Sequence, residues 1–109
     1  METIAKFKAS QSEFVRNIYR TFSDRHRLNE EELNEVLQYK NISKNFEYND
    51  WYGSSTNVTA TLINVEKNKW NDLIFTIKVN KSIPKHYVPS PSDILKGQNL
   101  LFPVSYSRI

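Results

Sequence analysis

The residues with the most evident capacity for acid–base chemistry are His26, His86 and Glu66. A pair of acid–base groups of this kind, beside a basic residue that holds a phosphate, can cleave RNA. Three basic residues adjoin the histidines in the chain: Arg25, Arg27 and Lys85. No ribonuclease motif accompanies them, and both histidines fall in predicted loops. We therefore predict ordinary surface residues and a protein that is not an enzyme; a small ribonuclease-like enzyme is an alternative.

The chain lacks the residues that other kinds of catalysis and cofactor binding require. The chain has no cysteine, and its two glycines are Gly53 and Gly97, which excludes a thiolate nucleophile, a disulfide and a glycine-rich phosphate loop. The isolated histidines predict no metal site and no cofactor. Neither a signal peptide nor an apolar stretch of membrane-spanning length occurs. We expect a small cytoplasmic protein with no membrane partner.

Lysines and one tryptophan concentrate around a predicted β-hairpin, which favours binding of single-stranded nucleic acid. Bases stack on exposed aromatic rings while lysines contact phosphates. The candidate nucleic-acid-binding residues are Lys67, Lys69, Trp70, Lys78 and Lys81. On the predicted outward face, Trp70 is accompanied by Val65 and Ile74. Alternatively, the C-terminal segment covers these apolar residues and makes a second small core.

A second concentration of aromatic residues lies in the acidic segment 46–52, of sequence FEYNDWY. Acidic and aromatic residues together suit a basic protein surface better than a phosphate backbone, and exposed Tyr and Trp are frequent in protein interfaces. The candidate protein-binding residues are Tyr48, Trp51 and Tyr52. The function is therefore predicted to be non-catalytic binding, of nucleic acid slightly ahead of protein. The protein-binding alternative is an inhibitor or adaptor.

Two N-terminal helices are predicted from capping residues and from apolar residues at helical spacing. Ser10 and Glu13 form a capping-box pattern before an apolar stripe, which predicts a helix from about Gln11 to Ser23. Asn29 and Glu32 repeat the pattern, which predicts a second helix from about Glu30 to Lys40. The short connection between them favours antiparallel neighbours.

The clearest strand pair covers residues 56–65 and 70–79. Apolar residues alternate in both segments, and a four-residue connector, 66–69, pairs Leu62 with Leu73 and Ala60 with Phe75. A short helical turn is predicted at Pro91, and a last strand over 99–106 that lies at a sheet edge or is bulged at Pro103.

These elements predict a single α+β domain over residues 1–109. Its two N-terminal antiparallel helices pack on one face of an antiparallel sheet of three to four strands. The predicted helix contribution to the core is Phe14, Ile18, Phe22, Leu33, Val36 and Leu37. The predicted sheet contribution is Val58, Ala60, Leu62, Leu73, Phe75 and Ile77.

Overall fold

The structure, a computed structural model, describes residues 1–19, 27–49, 52–96 and 105–109, and of residues 16–19 the backbone alone. The strands are β1 (Thr3–Ala9), β2 (Ile42–Asn49), β3 (Ser55–Lys67), β4 (Leu73–Val79) and β5 (Ser107–Arg108). The helices are α1 (Gln11–Tyr19), α2 (Glu30–Leu37) and α3 (Pro91–Leu95), with a 3-10 helix at Lys85–Tyr87.

All five strands form one antiparallel sheet in the order β2-β3-β4-β1-β5. The first strand of the chain therefore lies beside β4 in the sheet interior, and β2 forms one edge. Burial alternates along β1: Phe7 is buried, whereas Lys6 and Lys8 are exposed. The sheet thus has an inner face that carries the core and an outer face that carries polar side chains.

The core occupies the inner face and includes the six sheet residues predicted for it, all of which are buried. From the helices, Phe14 and Val36 are buried, and Leu33 and Leu37 are partly buried against the core. Phe14 stacks on Phe75 with 5.9 Å between ring centroids. The side chains of Ile18 and Phe22 lie outside the described part. The C-terminal half of the chain also covers this face, through four fully buried residues: Val88, Pro91, Ile94 and Leu95.

The predicted fold class, two N-terminal antiparallel helices on a sheet of three to four strands, is wrong. The described part has a five-stranded sheet with three short helices, and a strand precedes all of them. The apolar pattern of β1 is weak because its buried face carries Thr3, Ala5 and Ala9 beside a single large residue, Phe7. Part of the segment that follows β4 also packs on the sheet, through Val88 and α3.

The β3–β4 hairpin is present, but its predicted register is wrong. The connecting loop is residues 68–72, and Val65 pairs with Phe75. An odd-length loop alone would put Leu62 opposite Lys78. One extra residue, Ile63, bulges from the pairing so that Leu62 lies opposite Ile77. The bulge therefore restores the apolar alignment, and it turns Val65 into the core.

The helix starts are predicted correctly because capping is local. The Ser10 Oγ accepts from the Glu13 amide at 3.2 Å, and the Asn29 Oδ1 accepts from the Glu32 amide at 2.8 Å. The helical turn at Pro91 is also confirmed, as α3. Helix α2 ends at Leu37, three residues before the predicted end, because Asn41 turns the chain with a φ of 60° into β2.

Of the predicted C-terminal strand, 99–106, the structure describes only the last two residues. Residues 97–104, and with them Pro103, lie outside the described part, while Ser105 and Tyr106 are not in a strand. The strand β5 pairs with Phe7 and Lys8 of β1. No helix of the described residues is long and apolar enough to cross a membrane. The cytoplasmic location stays a prediction.

Candidate functional site

A groove of about 500 Å³ runs beside β2 at the edge of the sheet. Four consecutive residues of this strand line it: Phe46, Glu47, Tyr48 and Asn49. Val58 of the neighbouring strand β3 lines it too. Because Val58, Phe46 and Tyr48 share the inner face of the sheet, the groove lies on that face, alongside the edge strand. We call this feature the β2 groove.

The segment after β4 forms the opposite wall of the β2 groove, with Ile83, Tyr87 and Pro89. The ring of Tyr87 meets the ring of Tyr48 edge to face, with 5.1 Å between centroids. Tyr87 is 49% exposed and Tyr48 is partly buried, so these rings contact each other and still present surface to the groove. Aromatic walls of this kind supply large contact areas with few torsions to fix on binding.

Two acidic residues, Glu47 and Asp93, are among those that line the groove. The carboxylate of Asp93 accepts from the Ser90 amide at 3.0 Å and caps α3. Lys44 donates to the Asp93 carbonyl at 3.4 Å, and its Nζ lies 5.7 Å from the Phe46 ring centroid. These contacts tie α3 to the edge strand, so the groove has walls held by both sheet and helix.

Tyr106 contacts α3, and its hydroxyl accepts from the Ser92 hydroxyl of that helix at 3.3 Å. Burial raises the pKa of Tyr106 to about 12, with a smaller contribution from the Asp93 charge. Its ring meets Phe75 edge to face at 5.5 Å. Tyr106 therefore joins α3 to the core in its neutral form.

The structure describes two of the three predicted protein-binding residues, and they lie in different places. Tyr48 lines the β2 groove, whereas Tyr52 lies after the strand and is 94% exposed. Trp51 lies outside the described residues. Sequence reasoning missed Tyr87 and Pro89, which come from a proline-containing segment about forty residues further along the chain. The aromatic residue between Pro84 and Pro89 was the available signal, because aromatic side chains supply large contact areas.

The predicted nucleic-acid-binding residues lie at two ends of β4. Lys67, Lys69 and Trp70 lie at the β3–β4 loop, which we call the hairpin tip. Trp70 is 69% exposed, and the Nζ of Lys69 lies 4.4 Å from its ring centroid. Lys78 and Lys81 lie at the other end of the strand, about 20 Å away for seven residues of extended chain. Lys78 pairs there with Glu2 at 3.1 Å.

The outward face of the hairpin has fewer exposed apolar groups than the sequence predicted. Val65 is buried on the inner face, which contradicts its predicted outward position. Ile74 and Thr76 lie on the outer face but are buried there between neighbouring strands. Trp70 belongs to the loop, where the Asn68 Oδ1 accepts from its amide at 3.0 Å. The described residues thus bring the Trp70 ring and Lys69 together at the hairpin tip and do not form an aromatic sheet face.

The structure does not bring Glu66 and His86, the two described acid–base candidates, together. Glu66 lies near the hairpin tip, opposite Ile74 at the start of β4. His86 lies in the 3-10 helix that follows the far end of β4, with its ring 4.4 Å from that of Tyr87. His26 lies outside the described residues. Within the described ranges, no group of three His, Asp or Glu residues is placed to hold a metal ion.

Comparison with known proteins gives no similarity: no protein family, curated protein sequence or solved structure matches this chain. The geometry of its own residues is therefore the basis for the function proposed below.

Proposed function

We propose that this chain is a non-catalytic protein-interaction module that binds an extended segment of a partner protein at β2. The observation that carries the proposal is the β2 groove, which combines aromatic walls with the backbone of an edge strand. Extended peptides are recognised in this way when they add a strand to a sheet edge. The main-chain hydrogen bonds then provide affinity, and pockets for alternate side chains provide specificity.

The edge strand offers a long template for such addition. All eight residues of β2 pair with β3, from Ile42 opposite Leu62 to Asn49 opposite Ser55. In the described part of the sheet no strand pairs with the other side of β2. Every second residue of an edge strand directs its amide and carbonyl away from the sheet, so these groups are available to a partner strand.

The side-chain pocket lies on the same side as the template. Phe46 and Tyr48 pair with Val58 and Thr56 and project to the inner face, where Tyr87 stands opposite them. A partner residue opposite Phe46 or Tyr48 projects to that face as well and enters the groove. Because β2 is fixed by its pairing with β3, the protein loses little conformational entropy when the peptide binds.

The proposal is tested by selection from a displayed library of random peptides, followed by affinity measurements on the enriched sequences. We expect Tyr87→Ala to weaken binding of the selected peptides by about 1–3 kcal/mol, because an aromatic wall of the groove is lost. Trp70→Ala is the matched control: it removes an exposed aromatic side chain away from the groove and should leave affinity unchanged.

Two results would refute the proposal. One is that no peptide is enriched by the wild-type protein, although its circular dichroism shows a folded domain. The other is that the selected peptides bind Tyr87→Ala as tightly as the wild type, with Trp70→Ala weakening them instead.

Nucleic-acid binding is a second candidate, and it is favoured by the hairpin tip. The exposed Trp70 ring, Lys69 beside it and Lys67 at the end of β3 match the residue types that stack on bases and contact phosphates. The area is small. The lysines at the other end of β4 lie too far from Trp70 to contact the same short stretch of nucleic acid. We therefore rank this candidate behind peptide binding.

A further inference from the structure

We infer that the partner segment carries a basic residue opposite Glu47, with a large apolar residue on each side of it. This inference rests on the proposed function and specifies the chemistry of the peptide that β2 binds. It follows from which face of the sheet each β2 residue shares with an added strand.

Residues directly opposite each other on adjacent strands project to the same face. Phe46 and Tyr48 lie on the inner face, where the β2 groove is aromatic and bounded by Tyr87. Glu47 lies between them and pairs with Asn57 of β3, whose side chain belongs to the outer face. The partner residues on either side of the Glu47 position therefore enter the groove, while the residue between them lies beside the Glu47 carboxylate.

The surroundings of Glu47 favour a cation at that position. Its side chain is exposed and accepts a short hydrogen bond from the Ser55 hydroxyl. Among the described residues no lysine or arginine forms an ion pair with it. The nearest basic residue along the strand, Lys44, is directed to the inner face and bonds the Asp93 carbonyl of α3. A lysine or arginine of the partner would be the cross-strand charge that Glu47 lacks.

Charge also distinguishes this partner from a second copy of the chain. In a symmetric antiparallel pairing of two β2 strands that keeps their inner faces together, Glu47 of one copy lies opposite an outer-face residue of the other, and these are Ser43, Asn45, Glu47 and Asn49. Such an edge would leave the carboxylate without a cation. A basic peptide supplies it, and for this reason we assign the edge to a partner protein.

The test uses three synthetic nine-residue peptides that differ only at the central position, which is lysine, threonine or glutamate. The two residues beside it are phenylalanine, and the rest alternate threonine and serine. Affinity is measured by fluorescence anisotropy. We expect the wild type to bind the lysine peptide about two- to fivefold more tightly than the threonine peptide, and the glutamate peptide more weakly still, as expected for one cross-strand charge pair.

Glu47→Lys should reverse this order, and Glu47→Gln should abolish the preference without abolishing binding. Glu66→Lys is the matched control, because it makes the same charge change at another exposed position of the outer face, near the hairpin tip. It should leave the order of the three peptides unchanged.

Equal affinity of the wild type for all three peptides, with binding still weakened by Tyr87→Ala, would overturn this inference and retain the proposed function. Failure of all three peptides and of the displayed library would refute the proposed function itself. A wild-type dimer in sedimentation, resistant to the lysine peptide and dissociated by Phe46→Lys, would assign β2 to a second copy and overturn the inference as well.

Discussion

The β2 groove and the hairpin tip both bring aromatic rings to the surface, but they hold them differently. In the groove, Tyr48 lies on a strand paired along its whole length and meets Tyr87 at 5.1 Å. At the tip, Trp70 lies in a five-residue loop, and its described ring contact is with Lys69 of the same loop. The same residue types thus line a preformed concave surface in one region and project from a turn in the other.

This difference decides which region is the better candidate for specific binding. A concave wall surrounds part of a ligand and excludes water from several sides, whereas a projecting ring contacts it from one side. Groups held on strands also need less ordering on binding than groups on loops. Position relative to rigid strands is therefore more informative here than the number of aromatic residues.

The largest expected effect concerns the core under both regions. Phe75 stacks on Phe14 and meets Tyr106 edge to face. Phe75→Ala should lower the free energy of unfolding by about 3–5 kcal/mol, because it opens a cavity in the fully buried layer. Urea denaturation followed by circular dichroism measures the change. A loss below about 1 kcal/mol would show that this ring is not central to the core.

The next effect concerns Tyr106, which joins α3 to the core beside the β2 groove. Tyr106 has a pKa of about 12 in the folded protein and about 10 in the unfolded chain. Its neutral form is favoured by folding, so its contribution is complete below pH 10 and is lost as the pH rises from about 10 to 12. The loss should reach about 2–3 kcal/mol at most. Tyr106→Phe should flatten this part of the stability curve relative to the wild type; identical curves would contradict the assignment.

The smallest expected effect on folding concerns the hairpin tip. Trp70→Ala should change the free energy of unfolding by no more than about 0.5 kcal/mol, because the ring is largely exposed.

If the tip binds single-stranded nucleic acid, the same change should weaken binding of a fluorescent oligonucleotide by about 1–3 kcal/mol. Lys69→Ala should instead flatten the dependence of affinity on salt. The second candidate function fails if the wild type retains no oligonucleotide at about 20 mM salt, where phosphate contacts are strongest.

The sequence predicted those features that depend on neighbouring residues. The starts of α1 and α2 follow from side chains three residues apart, Ser10 with Glu13 and Asn29 with Glu32, and capping needs nothing more distant. The inner-face alternation of Val58, Ala60 and Leu62 likewise needs only a period of two. Both kinds of pattern are complete within a few residues.

Features that depend on distant partners were not predictable in the same way. The bulge at Ile63 follows from matching β3 to β4 around a five-residue loop, and alternation alone gives no sign of it. Strand β1 has small residues at three of its four buried positions, so its own apolar signal is weak. The β2 groove joins Tyr48 to Tyr87, which only the folded chain brings together.

The central claim is that an extended peptide adds to β2, and amide hydrogen exchange measured by NMR tests it most directly. In the presence of a peptide selected on the wild type, we predict slower exchange at every second amide of residues 42–49. This period of two arises because alternate amides of an edge strand face the added strand. The amides of the hairpin tip, residues 68–72, should be unchanged. Protection confined to the tip, or none along β2 at saturating peptide, would contradict the account.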